Sequence, residues 1–252
     1  MKNLAWVVVL LLLIVSGAWA LANFAFVQTK LETDTVYGTV REIVVKADRG
    51  DIDIVAASRL IQVRETRHWV VSQPELEQTR KNGVLTLEST CSPERVVLKC
   101  YSDLRIAVPR GVRVTVDADS GDVDLRGAHP RSVHVESDSG DIEMDLDGRQ
   151  TLVFASSDSG DLDLIARSVR AVDAQTDAGD VTADVGGLPR RVVARSNSGD
   201  VDVTVPRGSY RVRAIAESGD ATVSGLGRNN RALQSVHART NDGDVAVRAR
   251  AR

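Results

Sequence analysis

The dipeptide Gly-Asp recurs at 50–51, 121–122, 140–141, 160–161, 179–180, 199–200, 219–220 and 243–244. From Asp122 the steps are 19, 20, 19, 20, 20 and 24 residues. A fixed period of this length marks an architecture in which one supersecondary unit stacks on the next. Registering the chain on the Asp explains the beat. Eight positions earlier stand Ile43, Val114, Val133, Val153, Val172, Val192, Val212 and Val236, all β-branched. Six earlier stand Val or Ala, and four earlier small residues from Ala47 to Thr240. One and three residues after the Asp come further apolar columns, such as Ile142 and Met144 or Leu162 and Leu164. Apolar residues thus alternate with polar ones on both sides of a turn, which predicts two strands with one dry face and one wet face.

A single unit of this size cannot hide its dry face, so neighbours must stack in register, Val on Val and Ala on Ala. The predicted fold is all-β: a β-solenoid-like stack of about eight 20-residue strand–turn–strand repeats. An antiparallel sandwich of short strands is the alternative, and the strict register of the columns disfavours it. Aromatic residues make up only 4 % of the chain, which suits a thin core of β-branched and small side chains. The second corner of each unit carries Pro, Gly and a gathering of arginines: Arg110, Arg113, Arg131, Arg149, Arg190, Arg191, Arg207 and Arg211.

The first 27 residues read differently. Leu4–Val15 is an unbroken apolar run, and apolarity resumes after Ser16-Gly17 as far as Val27. Those 24 residues would span about 36 Å as a helix, enough to cross a bilayer core. Ala18-Trp19-Ala20 also fits a signal-peptide cleavage site. An uncleaved anchor is favoured, because cleavage there would leave a greasy terminus. The expected organisation is therefore a membrane anchor at 1–27, an N-terminal β section at 28–104, and the Gly-Asp stack at 105–252. The body is expected outside the cytoplasmic membrane, single-pass and tethered through residues 4–27, with secretion as the alternative. In an oxidising compartment Cys91 and Cys100, the only cysteines, are expected to form a disulfide. With strands at 84–88 and 96–99 the bridge would staple a hairpin. Two free thiols are the alternative, and a metal site at the pair lacks further ligands. The irregular stretch between Asp53 and Leu104 is expected to cap the stack, and the ragged end after Gly227-Arg228-Asn229-Asn230 to form the other cap.

The Gly before each Asp implies a turn needing positive φ. A polar column three before the Asp (Asp48, Asp119, Asp138, Asp158, Asp177, Asn197, Glu217, Asn241) suits side chains that close turns onto backbone N–H groups. A second reading of the same turns is calcium. Asp119, Asp122 and Asp124, then Asp138, Asp141 and Glu143, then Asp158, Asp161 and Asp163, would bring hard oxygen ligands together on adjacent rungs. The column's drift to Asn and Glu, and the absence of a Gly-Gly-x-Gly-x-Asp pattern, favour turn closure, so no cofactor is firmly expected. No metal-ligand histidine spacing, nucleophile elbow or phosphate loop is present, and a catalytic constellation is singular where a repeat is plural. No enzyme is expected. A net charge of −3 gives no argument for nucleic acid as partner.

Leu104–Leu125, with Val108-Pro109-Arg110-Gly111 followed by Ser120-Gly121-Asp122-Val123, resembles the bacterial "putative adhesin" β-strand-repeat family. The likeness covers about Asp34–Val247 and rests on the fixed order of the two motifs. The resemblance implies an exported or membrane-bound protein with no established catalytic residues. The Cys91–Cys100 insert departs from the simplest pattern of the family. The functions it implies are adhesion or scaffolding toward an envelope or surface protein or glycan, with an accessory sensor of envelope stress as alternative. A polysaccharide-active enzyme ranks behind both.

Overall fold

The structure is a computed structural model that describes residues 27–36, 40–91, 99–150 and 152–251. Residues 4–26 of the expected membrane segment lie outside these, as do residues 92–98 of the expected cysteine hairpin. No helix among the described residues is long and apolar enough to cross a membrane. What is described is all-β, in two 11-stranded sheets.

Each Gly-Asp unit contributes one strand to each sheet. On one sheet lie β2 (Glu42–Ala47), β8 (Arg113–Ser120), β10 (Ser132–Ser139), β12 (Val153–Ser159), β14 (Ala171–Ala178), β16 (Arg191–Ser198), β18 (Ser209–Ser218) and β21 (Ser235–Asp242). On the other lie their successors β3 (Ile52–Ala57), β9 (Val123–Arg126), β11 (Ile142–Leu146), β13 (Leu162–Ala166), β15 (Val181–Val185), β17 (Val201–Val205), β19 (Ala221–Ser224) and β22 (Val245–Ala249). We call these the long-strand and short-strand sheets. Neighbouring units pair parallel and in the expected register, Val133↔Val153 and Val153↔Val172. The predicted ladders are present, and Val133, Val153, Val172 and Val192 are buried between the sheets.

A ninth rung exists that the Gly-Asp beat does not reveal. The strands β6 (Val84–Thr90) and β7 (Cys100–Pro109) form it, one in each sheet, with Ser102-Asp103 in the place of Gly-Asp. The bond Cys91–Cys100 is formed, with the two Cα atoms 6.0 Å apart. It is not a hairpin staple, because β6 pairs with β2 and β5 (Glu75–Lys81) while β7 pairs with β3 and β4 (Ile61–Trp69) in the opposite sheet. The disulfide ties the two sheets together at the turn corner of this rung.

Stack order departs from chain order at both ends. The β2/β3 rung lies between β6/β7 and β8/β9, and the β21/β22 rung lies between β16/β17 and β18/β19. At the N-terminal end antiparallel strands cover the stack: β4 on β7, β1 (Gln28–Val36) on β4, and β5 on β6. Of the stretch expected as this cap, β4 and β5 cover the stack and β1 joins them, while β6 and β7 belong to a rung. The cap's interior holds Glu65, 2 % exposed, which accepts a hydrogen bond from Ser102 Oγ at 2.6 Å and pairs with Arg67 at 2.7 Å. That contact raises the Arg67 pKa, so the guanidinium stays charged. The stretch after Asn230, expected as the other cap, instead forms the β21/β22 rung inside the stack, and at that end only a two-residue strand, β20 (Gly227–Arg228), pairs with Ser209 and Tyr210.

Candidate interaction surfaces

Turn geometry sets the first surface. Gly140 and Gly160 have φ of +124° and +147°, a region costly for any side chain. A second demand is added by stacking, because a Cβ on Gly160 would lie 2.1 Å from the carbonyl oxygen of Gly140 on the rung before. That carbonyl accepts from Ser157 Oγ at 3.4 Å. In the following rungs Thr176 donates to Gly160, Ser196 to Gly179 and Thr240 to Gly199, at 2.8–3.0 Å. Ser157, Thr176, Ser196 and Thr240 of the small column four before the Asp thus supply donors to glycine carbonyls, while Ala47, Ala118 and Ala216 of the same column do not.

The Asp after each Gly also acts between rungs. Asp51 Oδ1 accepts the backbone N–H of Asp122, Asp122 that of Asp141, Asp141 that of Asp161, and Asp161 that of Asp180, at 2.8–3.1 Å. The series begins at Asp103 and runs on through Asp180, Asp200 and Asp244 to the N–H of Asp220. Asp122, Asp141 and Asp161 thus have one carboxylate oxygen committed to backbone.

Asp119, Asp138 and Asp158 form a separate exposed column on β8, β10 and β12. Burial, then the charges of Asp48 and Asp138, push the Asp119 pKa above the usual carboxylate value. Farther along the column Asn197 donates to Asp177 at 2.7 Å and Asn241 to Asn197 at 3.3 Å, so amides relieve the repulsion there. A third column, on the short-strand sheet, contains Asp124, Glu143 and Asp163 side by side. Arg126 bridges Asp124 and Glu143 at 2.8 and 2.7 Å. Burial raises the pKa of both Asp124 and Asp163. No group of three or more His, Cys, Asp or Glu residues among those described converges as a metal-holding cluster.

Arginines cross-link this face further. Arg167 reaches Asp145 at 3.0 Å and Asp147 at 2.5 Å, Arg248 reaches Asp202 at 2.8 Å, and Arg250 reaches Asp184 at 2.5 Å. All are surface pairs, each contributing at most about 1 kcal/mol.

The opposite face is basic at its C-terminal end, a feature missed in the sequence reading. Arg191, Arg195, Arg211, Arg213 and Arg239 project from β16, β21 and β18, against the carboxylates of Asp173 and Glu217. Arg195 and Arg239 are direct cross-strand neighbours. Val193 also faces outward here, yet it is only 1 % exposed beneath its neighbours Asp173 and His237. Burial lowers the His237 pKa, and the charges of Arg195, Arg213, Arg191 and Arg239 lower it further. The signal was available in the outward columns five, seven and nine before the Asp, where Arg191, Arg195, Arg211, Arg213 and Arg239 fall in the last three units. A hollow near the N-terminal end is lined by Val55, Ala56, Gln62, Arg64, Arg105 and Ala107, with no carboxylate and so no acid–base pair.

Similarity to solved structures extends along most of the chain at low identity. A putative adhesin from Parabacteroides merdae is 12 % identical, with 88 % of this chain and 97 % of that one covered and a TM-score of 0.49. A putative cell adhesion protein from Clostridium sporogenes is 11 % identical, with 88 % and 100 % covered and a TM-score of 0.40. A putative lipid binding protein from Parabacteroides distasonis is 10 % identical, with 86 % and 96 % covered and a TM-score of 0.43. No curated protein matches the chain. Residues 15–248, spanning every rung of the stack, match the model of one family, and the chain belongs to it: Toastrack DUF4097.

Proposed function

We propose that this protein is a non-enzymatic adhesion or scaffold module of the bacterial cell envelope. In this reading residues 4–27 anchor it, the body stands outside the cytoplasmic membrane, and the partner is an envelope or surface protein or glycan. The supporting observation is the in-register stacking of nine rungs into two continuous faces of unlike charge. One face is acidic and laced by arginines; the other ends in the cluster around Arg191, Arg195 and Arg213. Regular extended faces of this kind suit recognition over a wide area. The polar groups that are buried serve the fold: Glu65 holds Ser102 and Arg67, and the Ser and Thr hydroxyls hold glycine carbonyls.

The test uses proteoliposomes carrying the full-length chain, presented to isolated envelope fragments. The expected result is adherence well above that of protein-free vesicles, weakened by salt and by the pair Arg191→Glu and Arg195→Glu. Adherence no greater than that of bare vesicles would overturn the proposal.

A further inference from the structure

The two ends of the stack are built differently. At the N-terminal end β5 places the exposed Gln78 and Arg80 on the core side of the sheet, opposite Leu87 and Leu85. Inward polar groups on an edge strand prevent a further dry rung from being added. At the C-terminal end β20 covers only the start of β18, where Tyr210 is buried and donates its hydroxyl to the Pro206 carbonyl at 3.0 Å. Beyond Tyr210 the outer edges of β18 and β19 pair with no strand among those described. Val212, Ala214, Ala216 and Val223 occupy core columns that are fully covered in inner rungs, yet here they are only half-buried.

The hydrogen bonds carry the same signature. In eight rungs the N–H at the Gly position donates to a carbonyl of the next rung, and the N–H after the Asp donates to the next Asp carbonyl; Gly243 to Ser218 at 2.9 Å and Val245 to Asp220 at 2.8 Å are the last such pair. In the ninth rung the N–H groups of Gly219 and Ala221 have no next rung to meet. The carboxylate of Asp220 ends its series with no further Asp N–H to receive. Arg211 N–H points inward along the stack, to Gln234, so alternation turns the amides of Val212, Ala214 and Ala216 outward. The end is a ready template for one more pair of strands.

We infer that this end is a strand-addition site that takes an extended acidic segment of another protein, with carboxylate residues alternating with small or β-branched ones. Main-chain groups supply the pairing, and alternate side chains supply the choice. One set would continue the Val212, Ala214 and Ala216 columns and must be small and apolar. The other set would lie beside the exposed Arg211 and Arg213, where carboxylates are favoured and cations are not. A second copy fits less well. Two-fold pairing of β18 with its own copy would set Arg211 and Arg213 together when centred on Val212 or Arg213, and would otherwise offer them only Glu217, already paired with Arg239. Head-to-tail pairing would meet the blocked β5 edge. The inference does not depend on the adhesion reading, since it concerns the end of the stack and not its faces.

The experiment titrates the full-length protein, held in mild detergent, with a labelled peptide of alternating glutamate and valine, about eight residues long. A lysine–valine peptide is the control. Anisotropy reports binding and hydrogen exchange reports its place. Expected are slowed exchange at Ala214, Gly219 and Ala221 and little binding of the control. Arg211→Glu with Arg213→Glu, both exposed, should weaken the acidic peptide about tenfold with an unchanged melting midpoint. The inference is overturned by absence of binding, by protection elsewhere, or by indifference to the charge reversal. Concentration-dependent protection of the same amides without peptide would identify a second copy as the occupant and equally overturn it.

Discussion

The carboxylate of Asp141 accepts the backbone N–H of Asp161 at 2.9 Å, across 20 residues of chain. Each turn is thus closed by the turn on the rung before it, and the same bond repeats along the whole edge. Replacing Asp141 by Ala should leave the Asp161 N–H to water and cost about 1 kcal/mol. Asn keeps the acceptor oxygen and should recover most of that loss. Denaturant melts of the two variants check this, and equal losses would show that the bond itself contributes nothing.

Gly160→Ala should be far more damaging. Its Cβ would face the Gly140 carbonyl oxygen at 2.1 Å and the Asp141 nitrogen at 3.2 Å, all backbone with no flexible side chain to yield. A loss of about 4 kcal/mol or more is expected, at the upper end of single-residue effects. A control at Gly111, where a Cβ meets nothing within 4 Å, isolates the conformational part, since its φ is +80°. Similar losses at the two positions would argue against the close approach as a cause.

Asp119→Asn should raise the melting midpoint at neutral pH and low salt. Its carboxyl pKa is raised by burial and by the charges of Asp48 and Asp138, so ionising it costs the fold. Asn197 and Asn241 already show the amide solution in the same column. The gain should shrink at about 1 M salt, where screening acts within ~3 Å. A gain independent of salt would place its origin elsewhere.

His237 makes stability fall on mild acidification. Its pKa in the folded state lies below the ordinary 6.5, so below that value the unfolded chain binds the proton more readily. Stability contributed by the neutral ring is complete above about 6.5 and is lost as pH falls from there toward the folded pKa. His237→Gln should flatten the midpoint between about pH 7.5 and about pH 5.5, relative to the parent chain. An unchanged slope would remove His237 as the cause.

Much of this was legible from the columns. Val133, Val153 and Val172 stack as their spacing demands, because period-two alternation leaves only one face to bury. The glycine column was legible as a turn requirement, but not as a close approach, since the oxygen that forbids a Cβ belongs to a residue about 20 positions away. Turn closure is expected of Asp119, Asp138 and Asp158, whereas the carboxylates that accept backbone N–H groups are those of Asp122, Asp141 and Asp161, with donors one rung away. The rung holding Cys91 and Cys100 escaped notice because Ser102 replaces Gly. With no tenth rung beneath it, only β4 and Glu65, that position tolerates a side chain. The arginines near Val193 were visible one by one, but their convergence depends on β21 lying between β16 and β18.

That last exchange of places governs how the molecule can be made. The β18/β19 rung is synthesised before β21/β22, yet their mutual position requires a gap beside β17 until the final strands arrive. Completion is consequently an act of insertion, performed by β21 and β22 between the β16/β17 and β18/β19 rungs. A chain stopped short of Ser235 loses two interfaces with one deletion, and the closing wedge protects the finished stack from unravelling at its free end.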